Sequence, residues 1–309
     1  MIGNGTECGQ LLQSQRLRSS LDSARLCGKC CHDLYVNALI ELNIVNIVEQ
    51  LDPMLTGEYR LNEQRILLAA SLDSLSQTAA TRIIEHARAA IQDHGAFYLA
   101  LSGGSTPVHL HQTLSLPQFQ QQIDWEKVHI FFGDERNVPF DHSESNYRMA
   151  QETLLTKVPV PVSQVHAIPT GCTDMQECAR RYAQQLNALP QQHAMPCFDL
   201  ILLGMGDDGH TASLFPQTTI LNERERSVAA VFVPKISAWR VSLTYPVLNQ
   251  AKAIMVLVNG AGKADVLYAV FTDPTREYPI QQIHNQHLEW IIDNAAATRL
   301  IESDVGLSG

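Results

Sequence analysis

The chain has 309 residues, 45% of them apolar, which is enough for a large core and excludes a disordered protein. Lys and Arg number 22 against 32 Asp and Glu, a net charge of −10 that argues against nucleic acid or an anionic membrane as main partner but leaves an anionic small molecule open. No run approaches the ~18 apolar residues of a membrane span, and the N-terminus has neither the basic nor the apolar segment of a secretion signal, so a cytoplasmic location is expected.

Residues 1–53 look foreign to the rest of the chain. Cys8, Cys27, Cys30 and Cys31 cluster there, whereas Cys172, Cys178 and Cys197 are scattered. An odd total of 7 so distributed is not a disulfide framework, and Cys27-Gly28-Lys29-Cys30 is half a zinc motif with no second half at finger spacing. Leu34–Leu51 carries one broad apolar helical face and ends at Asp52-Pro53. The contrast in composition favours translation starting at or near Met54. A genuine extension that packs on the body or a partner is the alternative.

Residues 54–309 read as a single α/β domain. Ser71–Gln92 has the apolar spacing of a helix, and apolar runs lie further on at Ala96–Leu101, Val128–Phe132, Phe198–Leu203, Val228–Val233, Arg240–Thr244, Ala253–Val258 and Leu288–Ile292. Near-continuous apolar strands alternating with helices predict a mostly parallel, Rossmann-like sheet with helices on both faces. Ligands of such sheets bind beyond the carboxyl ends of the strands.

The residues directly after each run are therefore informative. After Leu101 comes Ser102-Gly103-Gly104-Ser105-Thr106-Pro107, a tight turn into a helix start that suits an anion, with a plain turn as the bland alternative. After Phe132 comes Gly133-Asp134-Glu135-Arg136, whose carboxylate and guanidinium could orient a hydroxyl and clamp a phosphate, or form only a solvated ion pair. After Leu203 comes Gly204-Met205-Gly206-Asp207-Asp208-Gly209-His210. His210 is expected at or near a helix N-terminus, which disfavours imidazolium, with Asp208 close enough to orient the ring. Arg240 opens an apolar strand, and Lys263 comes after Asn259-Gly260-Ala261-Gly262 in the first turn of another helix. Alone, each of these cations could be a surface charge. No cluster has metal-ligand spacing outside the N-terminal segment, and no Gly-x-Ser-x-Gly elbow is present.

In this order, LALSGGSTP (99–107), FFGDERNVP (131–139) with SESNYRMA (143–150), FDLILLGMGDDGHTASLFP (198–216) and VLVNGAGKADVL (256–267) resemble the glucosamine-6-phosphate isomerase/6-phosphogluconolactonase family, on its lactonase side. The resemblance spans residues 60 to about 295. It implies the sugar-phosphate isomerase-like fold and hydrolysis of 6-phospho-D-glucono-1,5-lactone to 6-phospho-D-gluconate, with no metal or organic cofactor. It further implies His210 as general base and Asp134 as a ring-positioning or His-supporting carboxylate. Arg136 and Lys263, assisted by Gly103, Gly104 and Ser105, would bind phosphate, with Asp208 and Arg240 also at the substrate. The expected partner is a phosphorylated sugar lactone, and the expected state a monomer or weak dimer. Two rivals stand beside this reading. The related deaminases place an acidic residue five positions after the histidine, where this chain has Phe215. A non-catalytic sugar-phosphate sensor usually adds a DNA-binding module, and residues 1–53 lack its basic stripes.

Overall fold

The computed structural model describes residues 55–62 and 64–303. The expectations for residues 1–53, including the helix at Leu34–Leu51 and the cysteine cluster, lie outside them. Among the described residues no helix is long and apolar enough to cross a membrane.

The elements, in chain order, begin with β1 (Leu55–Leu61), β2 (Gln64–Ala69), α1 (Leu72–His94), β3 (Phe97–Leu101), α2 (Ser105–Leu114), α3 (Pro117–Gln120), β4 (Val128–Phe132) and β5 (Asp134–Arg136). They continue with α4 (Asn146–Ala150), α5 (Met175–Gln185), β6 (Gln191–Gln192), β7 (Met195–Pro196), β8 (Leu200–Gly204), β9 (Val228–Val233) and β10 (Ala238–Leu243). Last come α6 (Tyr245–Gln250), β11 (Ile254–Val258), α7 (Ala264–Thr272), β12 (Leu288–Asp293) and α8 (Asn294–Glu302). α1 forms where predicted because Ser71 caps it, exchanging hydrogen bonds with Ser74, and Gly95 ends it in the left-handed region at φ 86°.

The main sheet has the order β1-β2-β12-β11-β8-β3-β4. Only β1 pairs antiparallel, with β2; the other pairings are parallel. From β3 the chain steps outward to β4, and from β8 it steps the other way to β11 and β12. With right-handed crossovers this reversal puts the connecting helices on opposite faces and opens a crevice where neighbouring strands β3 and β8 diverge. The core is apolar on both faces, with Trp290, Phe97, Phe131, Phe132 and Phe198 fully buried.

Two expectations are corrected here. Val228–Val233 and the run at Arg240–Thr244 are strands, but they do not join the parallel sheet. They form an antiparallel sheet β5-β10-β9 with the short strand after β4. Apolar periodicity specifies a strand, not its partner, and the short connection through Pro234–Ile236 cannot hold a parallel crossover. The cysteines also depart from expectation. Cys172 and Cys178 form a disulfide that ties the loop before α5 to its first turns, while Cys197 is buried and free. The start of a helix folding back on its own lead-in brings the two Cα atoms to 5.8 Å.

β4 is a sheet edge, and its backbone is covered by a side chain. The Tyr182 hydroxyl donates to Phe132 O at 2.8 Å and accepts from Phe132 N at 2.8 Å. Tyr182 is fully buried, and burial pushes its phenol up. Tyr182→Phe strands both backbone groups, and should lower unfolding free energy by about 1–3 kcal/mol in urea titrations with little change in slope.

Candidate active site

Four strand ends converge on one cavity of about 260 Å³. Its wall includes Gly103, Gly104 and Ser105 after β3, Asp134 and Arg136 of β5, Gly206 and His210 after β8, and Lys263 after β11. Asp208 and Arg240 stand behind that wall.

The β8 loop is built around the His210 ring. Gly206 N–H donates to His210 O at 2.8 Å, closing the turn. A Cβ at Gly206 would sit on the ring at Nδ1 and Cε1, so only glycine admits the imidazole there. Phe215 stacks on the ring at 3.9 Å between centroids and 18° between planes. His210 Nδ1 lies 2.5 Å from Asp208 Oδ1, whose other oxygen accepts from Lys235 Nζ at 2.6 Å. Burial pushes the Asp208 carboxyl up, but Lys235 and His210 outweigh it and bring it to about 2. The carboxylate therefore accepts the Nδ1 proton, and the lone pair resides on Nε2.

This corrects the expected helix start. Residues 205–218 form an irregular loop, and no helix begins at His210. A hydrogen bond to a neighbouring carboxylate, not a helix dipole, sets the tautomer.

Asp134 is buried at the cavity wall, but its carboxylate is occupied by Ser213 Oγ at 2.6 Å and Asn146 Nδ2 at 3.3 Å. The carboxylate on the imidazole is that of Asp208. Glu135, between Asp134 and Arg136, points away from the cavity. It accepts from Ser145 Oγ and the N–H groups of Arg136, Asn146 and Tyr147, and burial pushes its carboxyl up. Glu135 thus pins the start of α4 to β5, which is why three charges in a row did not all turn out to face ligand.

The cations come from three elements. Arg136 donates to Glu144 O at 2.5 Å. Arg240 pairs across the β5–β10 ladder directly with Arg136, and burial, then its neighbour's charge, pushes its guanidinium down. Like charges placed opposite one another repel unless an anion lies near. Lys263 sits immediately before α7 and pairs with the exposed Asp207. Its turn is held by Asp293, which accepts from Asn259 Nδ2 at 2.6 Å and Gly260 N at 2.9 Å. Opposite, α2 starts at Gly104, whose φ of 109° requires glycine, with no side chain capping its first N–H groups. Those donors and the helix dipole suit an anion.

Sequence reasoning missed three contributors. Ser102 Oγ and Thr211 Oγ1 are buried, have no protein partner and belong to residues of the cavity wall. Both lie inside the strand-end motifs, but hydroxyl partnering has no sequence signal. Lys235 is 27 positions from Asp208 in the chain and sits in the unremarkable stretch Val233-Pro234-Lys235-Ile236. Among the described residues no group of three or more His, Cys, Asp or Glu is arranged to hold a metal ion.

A family model for glucosamine-6-phosphate isomerases/6-phosphogluconolactonase matches residues 70–292. A 6-phosphogluconolactonase of Synechocystis sp. is 41% identical over 217 residues, covering 68% of this chain and 88% of the relative. One from Rattus norvegicus is 38% identical over 237 residues, covering 75% and 90%. The solved 6-phosphogluconolactonase from Trypanosoma cruzi superposes with a TM-score of 0.70 at 30% identity, covering 78% of this chain and 98% of that one. The chain belongs to the glucosamine-6-phosphate isomerase/6-phosphogluconolactonase family.

Proposed function

We propose that this chain hydrolyses 6-phospho-D-glucono-1,5-lactone to 6-phospho-D-gluconate, the lactone-opening step of the pentose phosphate pathway, with His210 as general base. The observation that carries the reading is a single cavity bordered by an imidazole and by an anion cradle. His210 Nε2 takes a proton from water as that water attacks the lactone carbonyl carbon. The tetrahedral oxyanion is met by backbone N–H groups of the 204–210 turn and by nearby cations. As it collapses, the carbon–ring oxygen bond breaks, and the imidazolium returns its proton to the departing oxygen. The product acid then ionises. Positioned base catalysis of ~10²–10⁴-fold, with phosphate anchorage, meets the demand of an already activated ester.

The phosphate falls to Arg136, Lys263 and the N–H groups at Gly103–Ser105, with Arg240 reinforcing Arg136. Asp134 shapes the wall against the sugar ring. The reading needs no metal or organic cofactor. The enzyme works in the cytoplasm on a small phosphorylated sugar lactone, as a monomer or weak dimer.

The assay is release of 6-phosphogluconate by the purified chain, set against spontaneous lactone opening. A clear excess over the spontaneous rate is expected, and a rate equal to it would overturn the assignment. Arg136→Met should raise KM for the phosphorylated lactone about tenfold or more while changing kcat less. KM for unphosphorylated gluconolactone should not move, and an equal rise for both would take Arg136 off the phosphate.

A further inference from the structure

The contact between Asp208 and the hairpin β9–β10 has no role in the hydrolysis as proposed. β9 and β10 form a hairpin arm within the β5-β10-β9 sheet, joined by Pro234–Ile236 and by Ser237 in the left-handed region at φ 48°. Lys235 sits at the tip of that arm. Its side chain is 62% exposed, yet its ammonium reaches back to Asp208 Oδ2 at 2.6 Å, while Asp208 Oδ1 holds His210. One carboxylate thus bridges an ammonium from the arm and the imidazole of the cavity. Lys235 does not border the cavity, so its charge is directed at the carboxylate and not at a bound anion.

We propose that Lys235 is a positioning residue for the hydrolysis, acting through Asp208 on His210. This rests on the reading of His210 as the base. Lys235 fixes the rotamer of Asp208, so that the carboxylate takes the Nδ1 proton and leaves Nε2 to face water. It also offsets the Asp208 charge. Without that ammonium the carboxylate keeps only His210, through the ring and through the backbone N–H at 3.3 Å, and favours the imidazolium, which cannot accept a proton. Other charged groups near the ring are spoken for. Asp207 pairs with Lys263, Arg136 reaches Glu144, Arg240 stands beyond Arg136, and Asp134 is held by Ser213 and Asn146. Tyr278 packs over Gly209 at the base of the loop, and Phe215 covers one ring face. None of these supplies a second cation to Asp208 among the described residues. An exposed ion pair adds little to stability, so the effect falls on chemistry rather than on folding.

The test is kcat/KM against pH for the unaltered chain, Lys235→Met, Lys235→Arg and His210→Asn, with phosphorylated and unphosphorylated lactone. For Lys235→Met the acid limb should move to higher pH, with kcat/KM about tenfold down near neutrality and recovering in alkali. Both substrates should lose equally, the melting temperature should hold, and Lys235→Arg should track the unaltered profile. A uniform loss at every pH, a loss confined to the phosphorylated substrate, or an unmoved profile would each overturn the proposal. If His210→Asn is inactive while Lys235→Met is unchanged, the inference fails and the base assignment stands. If His210→Asn retains full rate, or the unaltered chain does not exceed spontaneous opening, both fall together.

Discussion

His210→Asn lowers kcat by about 10²- to 10⁴-fold, the range supplied by a positioned general base, and leaves KM nearly unchanged. The amide still donates to Asp208 but has no lone pair of sufficient basicity on the water side. Phosphate recognition lies with other strand ends, which is why binding persists. Rates corrected for spontaneous opening measure this, and a kcat equal to that of the unaltered chain would remove His210 from the base role. Lys235 and His210 hold the Asp208 carboxyl down to about 2 against the effect of burial, so the carboxylate keeps its charge beside the ring.

Gly206→Ala is expected to cost about 10²-fold in kcat, comparable to misplacing a reacting group by about 1 Å. The backbone angle at Gly206 is open to alanine, so the effect is purely steric. The new methyl meets His210 Nδ1 and Cε1, and the ring cannot retreat because Phe215 stacks on it at 3.9 Å. The imidazole must swing off Asp208 or the loop must open. Overpacking of this kind costs about 1–3 kcal/mol, so the melting temperature should fall together with kcat. An Ala variant with unaltered kcat would mean that the ring does not occupy this position during turnover.

The strand ends were legible because four apolar runs stop within two residues of a glycine: Gly103, Gly133, Gly204 and Gly260. Knowing that ligands gather there, one can name Ser105, Arg136, His210 and Lys263 without coordinates, and these four do border one cavity. Other features were not legible, each for a physical reason. The apolar run of β9 looks the same whether it joins a parallel or an antiparallel sheet, since partner choice is made by the hairpin with β10. β1 and β2 went unread because a short hairpin at the sheet edge, turning at Asn62, lacks a strong period. The loop after His210 failed to become a helix although its sequence is compatible with one, because Thr211 pairs back with Leu214 and Ser213 is taken by Asp134 and Ser242. Which carboxylate serves the imidazole is decided within 2.5 Å, a distance no spacing rule resolves: Asp208, two residues away, wins over Asp134 in the distant strand.

A crystal structure with 6-phosphogluconate bound tests directly whether imidazole and anion cradle serve one ligand. The phosphate is expected at the N–H groups of Gly104 and Ser105, within reach of Arg136 and Lys263, and the carboxylate carbon beside His210 Nε2. A product bound with its phosphate away from the start of α2, or with its carboxylate remote from His210, would contradict it.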